Sequence, residues 1–304
     1  MRDWGLLEAI EARAGSFTDW TVDLYGALLF SDGRVAGVRA KDAAGREFSA
    51  QADLVIGADG PASMVAKCAG AGEHHVEAPL QNNIWSYWRR VPVDHLHITI
   101  REGAGAFAFP SSDGSALVSA NLLYTDFLSS RRNKEAAFHA MLKRVAPELA
   151  AALAEGEQVD RFYSGCTRNF VRRAWGPGWA LVGDAGMKKD PVTAQGIASA
   201  FAGADMLAEA VDRGLGNAQQ LDAELAEFER ARDQWLLPYY DFTLRLAAFA
   251  KPDPEQAAFN HALCRDAEGR SQLFGAVSLS FSPEELMSPG NVRQIMARAA
   301  QDRP

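Results

Sequence analysis

Trp179-Ala180-Leu181-Val182-Gly183-Asp184-Ala185-Gly186-Met187-Lys188-Lys189-Asp190-Pro191-Val192-Thr193-Ala194-Gln195-Gly196 is the stretch on which the reading of the whole chain turns. Its first four residues are apolar and follow the Gly176-Pro177-Gly178 turn, which predicts a short buried strand. A polar loop follows, and Ala194 to Val211 then reads as an apolar, small-residue helix whose only acids are Asp205 and Glu209. Strand, loop and helix in this order form the junction of an α/β sheet, where ligands bind outside the carboxyl ends of parallel strands. The first turn of such a helix presents unpaired N–H groups carrying about half a positive charge, so Ala194, Gln195 and Gly196 favour an anionic neighbour. An ordinary packed helix accounts for Ala198, Ala200, Ala202, Gly203 and Ala204 but not for the loop.

A second junction of the same kind lies upstream. Ala52-Asp53-Leu54-Val55-Ile56-Gly57-Ala58-Asp59-Gly60 is an apolar strand entering a small-residue turn, with Pro61-Ala62-Ser63 opening a helix through Lys67. Both junctions set an aspartate beside a glycine, Asp59-Gly60 and Gly183-Asp184. A carboxylate there can accept hydrogen bonds from a pair of sugar hydroxyls, and glycine lets a ligand approach the backbone. The bland alternative is that each aspartate stabilises a turn or caps a helix.

Outward from these junctions the chain divides by pattern. Trp4 to Ala14 has helical spacing, and Trp20 to Phe30 with Val35 to Lys41 reads as a small antiparallel meander. Ile84 to Val91, His95 to Arg101, Gly105 to Pro110 and Ala116 to Asn121 are extended runs whose short connections predict antiparallel neighbours. Lys134 to Val145 and Pro147 to Ala154 read as helices. The tail is helical over Leu221 to Leu237, Tyr240 to Phe249, Glu255 to Cys264 and Pro283 to Ala300, the last with Ser282 as its cap. The expected organisation is therefore an α/β domain from 1–72 and 171–250, an inserted antiparallel-sheet unit over 73–170, and a helical extension over 251–304.

Composition narrows the function. With 31 Lys+Arg against 39 Asp+Glu the net charge is −8, which argues against a nucleic-acid face. No run of about 20 apolar residues exists for a membrane span, and the first thirty residues carry several charges in place of a signal sequence. Cys68, Cys166 and Cys264 lack metal-ligand spacing, so reduced thiols, no metal and a cytoplasmic location are expected. His95 and His97 share one strand face but lack a third ligand, and His74-His75 falls in a loop, so both pairs read as surface residues. Arg89-Arg90, Arg131-Arg132 and Arg172-Arg173 could hold an anionic substrate or a nicotinamide phosphate, although most such pairs are solvated faces.

The two junctions, DLVIGADGPASMVAK and WALVGDAGMKKDPVTAQGIASAFAGADMLAEAV, resemble the DG and GD motifs of class A FAD-dependent monooxygenases, the para-hydroxybenzoate hydroxylase-like family, from about Val22 to about Leu246. By this resemblance Asp184 binds the ribityl or ribose hydroxyls of FAD and Gly183 permits the approach. Pro191 lies beside the flavin ring, Ala194, Gln195 and Gly196 give it backbone contacts, and Asp59 and Gly60 lie near the pyrophosphate and the NAD(P)H path. The implied activity is NAD(P)H-driven transfer of oxygen from dioxygen to a small organic substrate. Reductase and halogenase activities of the same superfamily, and a flavin-free remnant acting as an interaction module, are the alternatives. Trp85, Tyr87, Trp88, Phe107 and Phe109 lie on the strands that hold substrate in this family; as aromatic strand residues they also suit a core, and alternation sets Trp85 and Tyr87 apart from Trp88. No side chain is singled out as a catalytic acid or base.

The family pattern is departed from in three places. Met187-Lys188 stands where relatives often carry an aromatic or histidine, Lys67 replaces the usual arginine, and no strand-GxGxxG-helix unit opens the sequence. The fold expected is thus an incomplete FAD/NAD(P)-binding Rossmann-like domain, with a weakened hold on the adenosine diphosphate half of FAD.

Overall fold

The computed structural model describes residues 23–41, 45–130 and 132–301; the helix expected over Trp4 to Ala14 lies outside them. The fold is mixed α/β, with antiparallel sheets and a helical carboxyl-terminal part.

Asp23–Ser31, Arg34–Lys41 and Glu47–Gln51 form the expected antiparallel meander, turning at Asp32-Gly33 with both residues in the left-handed region. Leu28 and Val35 of the meander share one core with Val55, Val65, Trp179 and Leu181, so it packs behind the two junction strands. Those strands, Val55–Gly57 and Trp179–Leu181, are hydrogen-bonded neighbours running parallel.

The larger sheet joins Gln81–Arg89, Ala116–Leu123, Ala104–Pro110 and His97–Arg101 in that spatial order, with Glu157–Gln158 and Tyr163–Cys166 also pairing to Gln81–Arg89. One expectation fails here: the first two extended runs are not neighbours. Their link, Arg90 to Leu96, is too long for a tight hairpin and passes the ends of two intervening strands, leaving His97–Arg101 at the outer edge. One sheet face carries Ile84, Trp88, Ala106, Val118 and Ala120 onto helices Lys134–Val145 and Pro147–Glu155, and Phe138 stacks on Trp88 with ring centroids 6.3 Å apart.

Two further expectations are corrected in the tail. Helix Ala218–Ala247 is continuous through Pro238, because Leu236, Tyr239, Tyr240 and Phe242 are buried on both sides of the proline and packing outweighs the lost backbone bond. The final helical segment is instead broken into Pro283–Leu286 and Pro289–Gln301, each opening at a proline that cannot continue the preceding turn. Ser282 caps the first of these by accepting from the Glu285 N–H. Helices Pro254–Arg265, Ala267–Val277 and Pro289–Gln301 close on Phe242 of the long helix in a separate core. Among the described residues no helix is long and apolar enough to cross a membrane.

Candidate functional site

The parallel register pairs Trp179 with Val55, Ala180 with Ile56 and Leu181 with Gly57, so both chains leave the sheet at the same edge. This closeness requires glycine: a β-carbon on Gly57 would stand 2.6 Å from Leu181 Cδ2 and 2.9 Å from Val65 Cβ. Asp59 follows on one strand and Asp184 on the other.

The two aspartates do different work. The Asp59 carboxylate accepts from the Met64 N–H at 2.7 Å and the Val65 N–H at 3.3 Å, while the Ser63 hydroxyl accepts from the Ala66 N–H at 2.9 Å. Asp59 therefore caps the short helix Met64–Ala69, the bland role that an Asp-Gly pair allows. Gly60 turns the loop in the left-handed region at φ 78°. Asp184 instead lies in the wall of a cleft of about 180 Å³ and takes a bond from the Lys188 ammonium at 2.6 Å. Gly183 is left-handed at φ 57°, and its α-carbon hydrogens face Ala200 so closely that a β-carbon would come within 3.3 Å of the alanine methyl.

The helix Gly196–Gly214 points its amino end at this cleft, with no side-chain cap from Gln195 and no acid in its first turn. Its N–H groups thus remain available to a ligand. Gly183, Gly186, Ala194, Gly196, Ala200 and Gly203 give the cleft small walls, and Pro191 lines it too.

Among the described residues, four side chains lining this cleft each carry a buried polar atom without a hydrogen-bond partner: Lys189 Nζ, Asp190 Oδ2, Ser199 Oγ and Arg232 Nη1. Lys189 is 8% exposed and Asp190 2%. Burial lowers the Lys189 ammonium to about 8 and raises the Asp190 carboxyl to about 6, against a smaller opposing pull from the Val192 N–H that Asp190 caps. Buried polar groups in native folds are nearly always satisfied, so a cluster of four calls for a polar partner. A flat ring whose edge offers both donors and acceptors fits small walls, two cationic groups, one carboxyl and one hydroxyl.

Gln195 is 2% exposed and its side chain turns away from the cleft. Its Nε2 donates to the carbonyls of Ala276 at 2.9 Å and Val277 at 3.1 Å, fastening the loop to the end of helix Ala267–Val277. Beside it the Thr193 and Thr243 hydroxyls lie 3.0 Å apart, joining the same loop to the long helix.

Two buried arginines hold the loops together, and Arg172 thereby departs from the solvated pair expected of Arg172-Arg173. Arg172, 9% exposed, donates to Ala185 O at 2.9 Å and to Pro61 O at 3.1 Å, and thereby clasps the second junction loop to the first. Glu73 accepts from its Nε at 3.1 Å, and the guanidinium lies over the Phe170 ring at 4.1 Å. The bonds from Arg168 first, then Arg172, hold the Glu73 carboxyl below its usual range. Arg232 donates to Arg172 O at 3.0 Å and to Asp233 Oδ1 at 2.8 Å, and the residue lines the cleft. A signal for Arg232 exists in the sequence: it falls four residues after Phe228 and four before Leu236, inside the apolar stripe of its helix.

On the exposed side of the larger sheet, Trp85 stacks on Tyr163 at 5.7 Å, and with Tyr87 they line an open groove of about 800 Å³. Trp88 faces the opposite way into the core, as the alternation predicts.

Comparison with known proteins identifies a family and a fold. The family described as FAD binding domain matches residues 6–235. No curated protein matches the sequence significantly. Among solved structures the chain is similar to the flavin-dependent brominase Bmp2, with a TM-score of 0.75, 15% identity, 98% of this chain covered and 74% of that one. It is similar to the myxobacterial chondrochloren halogenase CndH, with a TM-score of 0.70, 21% identity and coverages of 98% and 72%. PqsL, a probable FAD-dependent monooxygenase from Pseudomonas aeruginosa, gives a TM-score of 0.58, 19% identity and coverages of 97% and 71%. At these identities the likeness is one of fold. The family match over most of the chain makes this protein a member of the FAD binding domain family.

Proposed function

We propose that the cleft behind Gly183 holds the flavin end of FAD and that the enzyme uses NAD(P)H and dioxygen to hydroxylate a small organic substrate. The observation that carries this reading is the convergence of four partnerless buried polar atoms with an uncapped helix end in one small-walled cleft. Asp184 accepts hydrogen bonds from the sugar-alcohol chain. Lys189, Ser199 and Arg232 meet the polar ring edge, and the N–H groups from Gly196 onward favour negative charge there. FAD supplies the passage of electrons from the nicotinamide to dioxygen. The protein binds and orients it, and excludes water through the apolar Leu181, Phe228 and Leu236 in the cleft wall. The half-buried aromatic face of Trp85, Tyr87 and Tyr163 has the chemistry to hold an apolar or aromatic substrate.

The test is coupled turnover. With FAD supplied, NADH or NADPH oxidation should track oxygen uptake and yield a hydroxylated product from a panel of small aromatic acids and phenols. Product that forms only with added chloride or bromide points to the halogenase alternative, and reduction without oxygen uptake to a reductase. No flavin-dependent oxidation of any kind contradicts the reading.

A further inference from the structure

The link Arg90 to Leu96, in passing the ends of two strands, delivers Asp94 and His95 to the outer edge of the larger sheet, directly before His97 opens the edge strand. Two histidines alone make a poor metal site because a third donor is lacking. The fold supplies it. Asp94, His95 and His97 each offer one ligand atom, and the three atoms lie within 4.8 Å of one another. The two imidazoles are stacked, with ring centroids 4.2 Å apart and planes inclined by 26°. Asp94 Oδ1 stands 2.5 Å from His95 Nδ1. His97 Nε2 is buried without a hydrogen-bond partner, and the ring borders a cleft of about 470 Å³ between the edge strand and helix Pro147–Glu155.

We propose that Asp94, His95 and His97 bind one divalent transition-metal ion of the zinc type, which pins the Arg90 to Leu96 link to the edge strand. Two neutral imidazoles and a carboxylate are borderline donors that suit zinc, nickel or copper, whereas calcium and magnesium take oxygen ligands. At bond lengths of about 2.0 to 2.2 Å, tetrahedral donors lie about 3.3 to 3.5 Å apart. The present separations reach that by side-chain rotation, since the His95 and Asp94 side chains are 70% and 86% exposed and free to turn. Water completes the coordination. Binding replaces the Asp94–His95 hydrogen bond. The site is remote in sequence from the flavin loops and does not depend on the function proposed for them.

The test uses tag-free full-length chain stripped with a chelator and titrated with zinc by calorimetry, and with cobalt by visible absorption. One equivalent should bind, with cobalt giving ligand-field bands. His95→Ala and His97→Ala should each weaken binding about tenfold or more, and Asp94→Asn should weaken it without loss of fold. The double variant His74→Ala/His75→Ala removes the other adjacent histidine pair, whose Nδ1 atoms are 2.7 Å apart, and should bind like the parent. Absence of saturable binding by the parent overturns the proposal. So does equal binding by His95→Ala, or loss confined to the His74/His75 variant.

Discussion

Replacing Lys189 with methionine should stabilise the ligand-free protein. The methionine keeps the alkyl stem in the cleft wall and removes an ammonium that is buried with no partner. Burial holds that ammonium at about 8 against 10.5 in the unfolded chain, a gap worth about 3 kcal/mol at pH 7. The sign follows from which state binds the proton more tightly. The unfolded chain keeps it up to pH 10.5 and the folded one only to about pH 8, so the cost is full below pH 8 and fades as the pH rises toward 10.5. Urea unfolding followed by circular dichroism should show Lys189→Met more stable by about 3 kcal/mol at pH 7, with the difference falling below about 1 kcal/mol at pH 10. In a thermal scan the same gain is on the order of 5 to 10 °C. The variant should also bind FAD about tenfold to a hundredfold more weakly, because the ammonium is kept unpaired for the ligand. A variant less stable than the parent at pH 7, or a gain that persists unchanged at pH 10, refutes the reasoning.

Asp190→Asn bears on the opposite charge. Burial raises the Asp190 carboxyl from 3.8 to about 6, so its stability contribution is present below pH 4 and lost as the pH rises through 6; the asparagine variant should gain about 3 kcal/mol at pH 7 and nothing at pH 3.5. Arg172→Met leaves the Pro61 and Ala185 carbonyls without their donor and Glu73 with Arg168 alone, and should cost about 3 to 5 kcal/mol in chemical unfolding. Arg172→Lys should not restore FAD affinity, because one ammonium cannot reproduce the planar fork that spans both loops. Asp184→Ala removes the carboxylate offered to the sugar-alcohol chain and should weaken FAD about tenfold to a hundredfold by flavin fluorescence quenching, with the unfolding midpoint little changed because its Lys188 partner is also partly exposed.

The two junctions were legible because each is a local pattern: an apolar run, a glycine-bearing turn and a helix start fall within about twenty residues, and the structure sets them side by side. Period-two alternation likewise separated Trp88 in the core from Trp85 and Tyr87 on the open face. The cap at Ser282 was readable because side chain and helix start adjoin. Long-range pairing was not. Nothing local says that Gln81–Arg89 lies beside Ala116–Leu123, and strands as short as Met187–Lys188 or Trp175–Gly176 carry too few residues for a period. Arg172 reads like a surface arginine because its partners, the carbonyls of Pro61 and Ala185, are backbone groups that any sequence possesses. Asp59 shows the limit of a motif: an Asp-Gly pair suits a ligand or a cap alike, and here the carboxylate accepts from the Met64 and Val65 N–H groups. The four partnerless atoms of the cleft emerge only from tertiary packing, since a side chain's lack of a partner has no signature in sequence.

FAD is proposed to rest against the amino end of the Gly196–Gly214 helix and the loop leading into it. Hydrogen exchange of backbone amides, measured with and without saturating FAD, tests it directly. Slowed exchange over Gly183 to Ala200, requiring more FAD to develop in Asp184→Ala and absent from the Asp94 to His97 edge, is the predicted result. Saturable FAD binding that leaves the amides of Gly183 to Ala200 unchanged, or protects only residues outside the cleft, contradicts it.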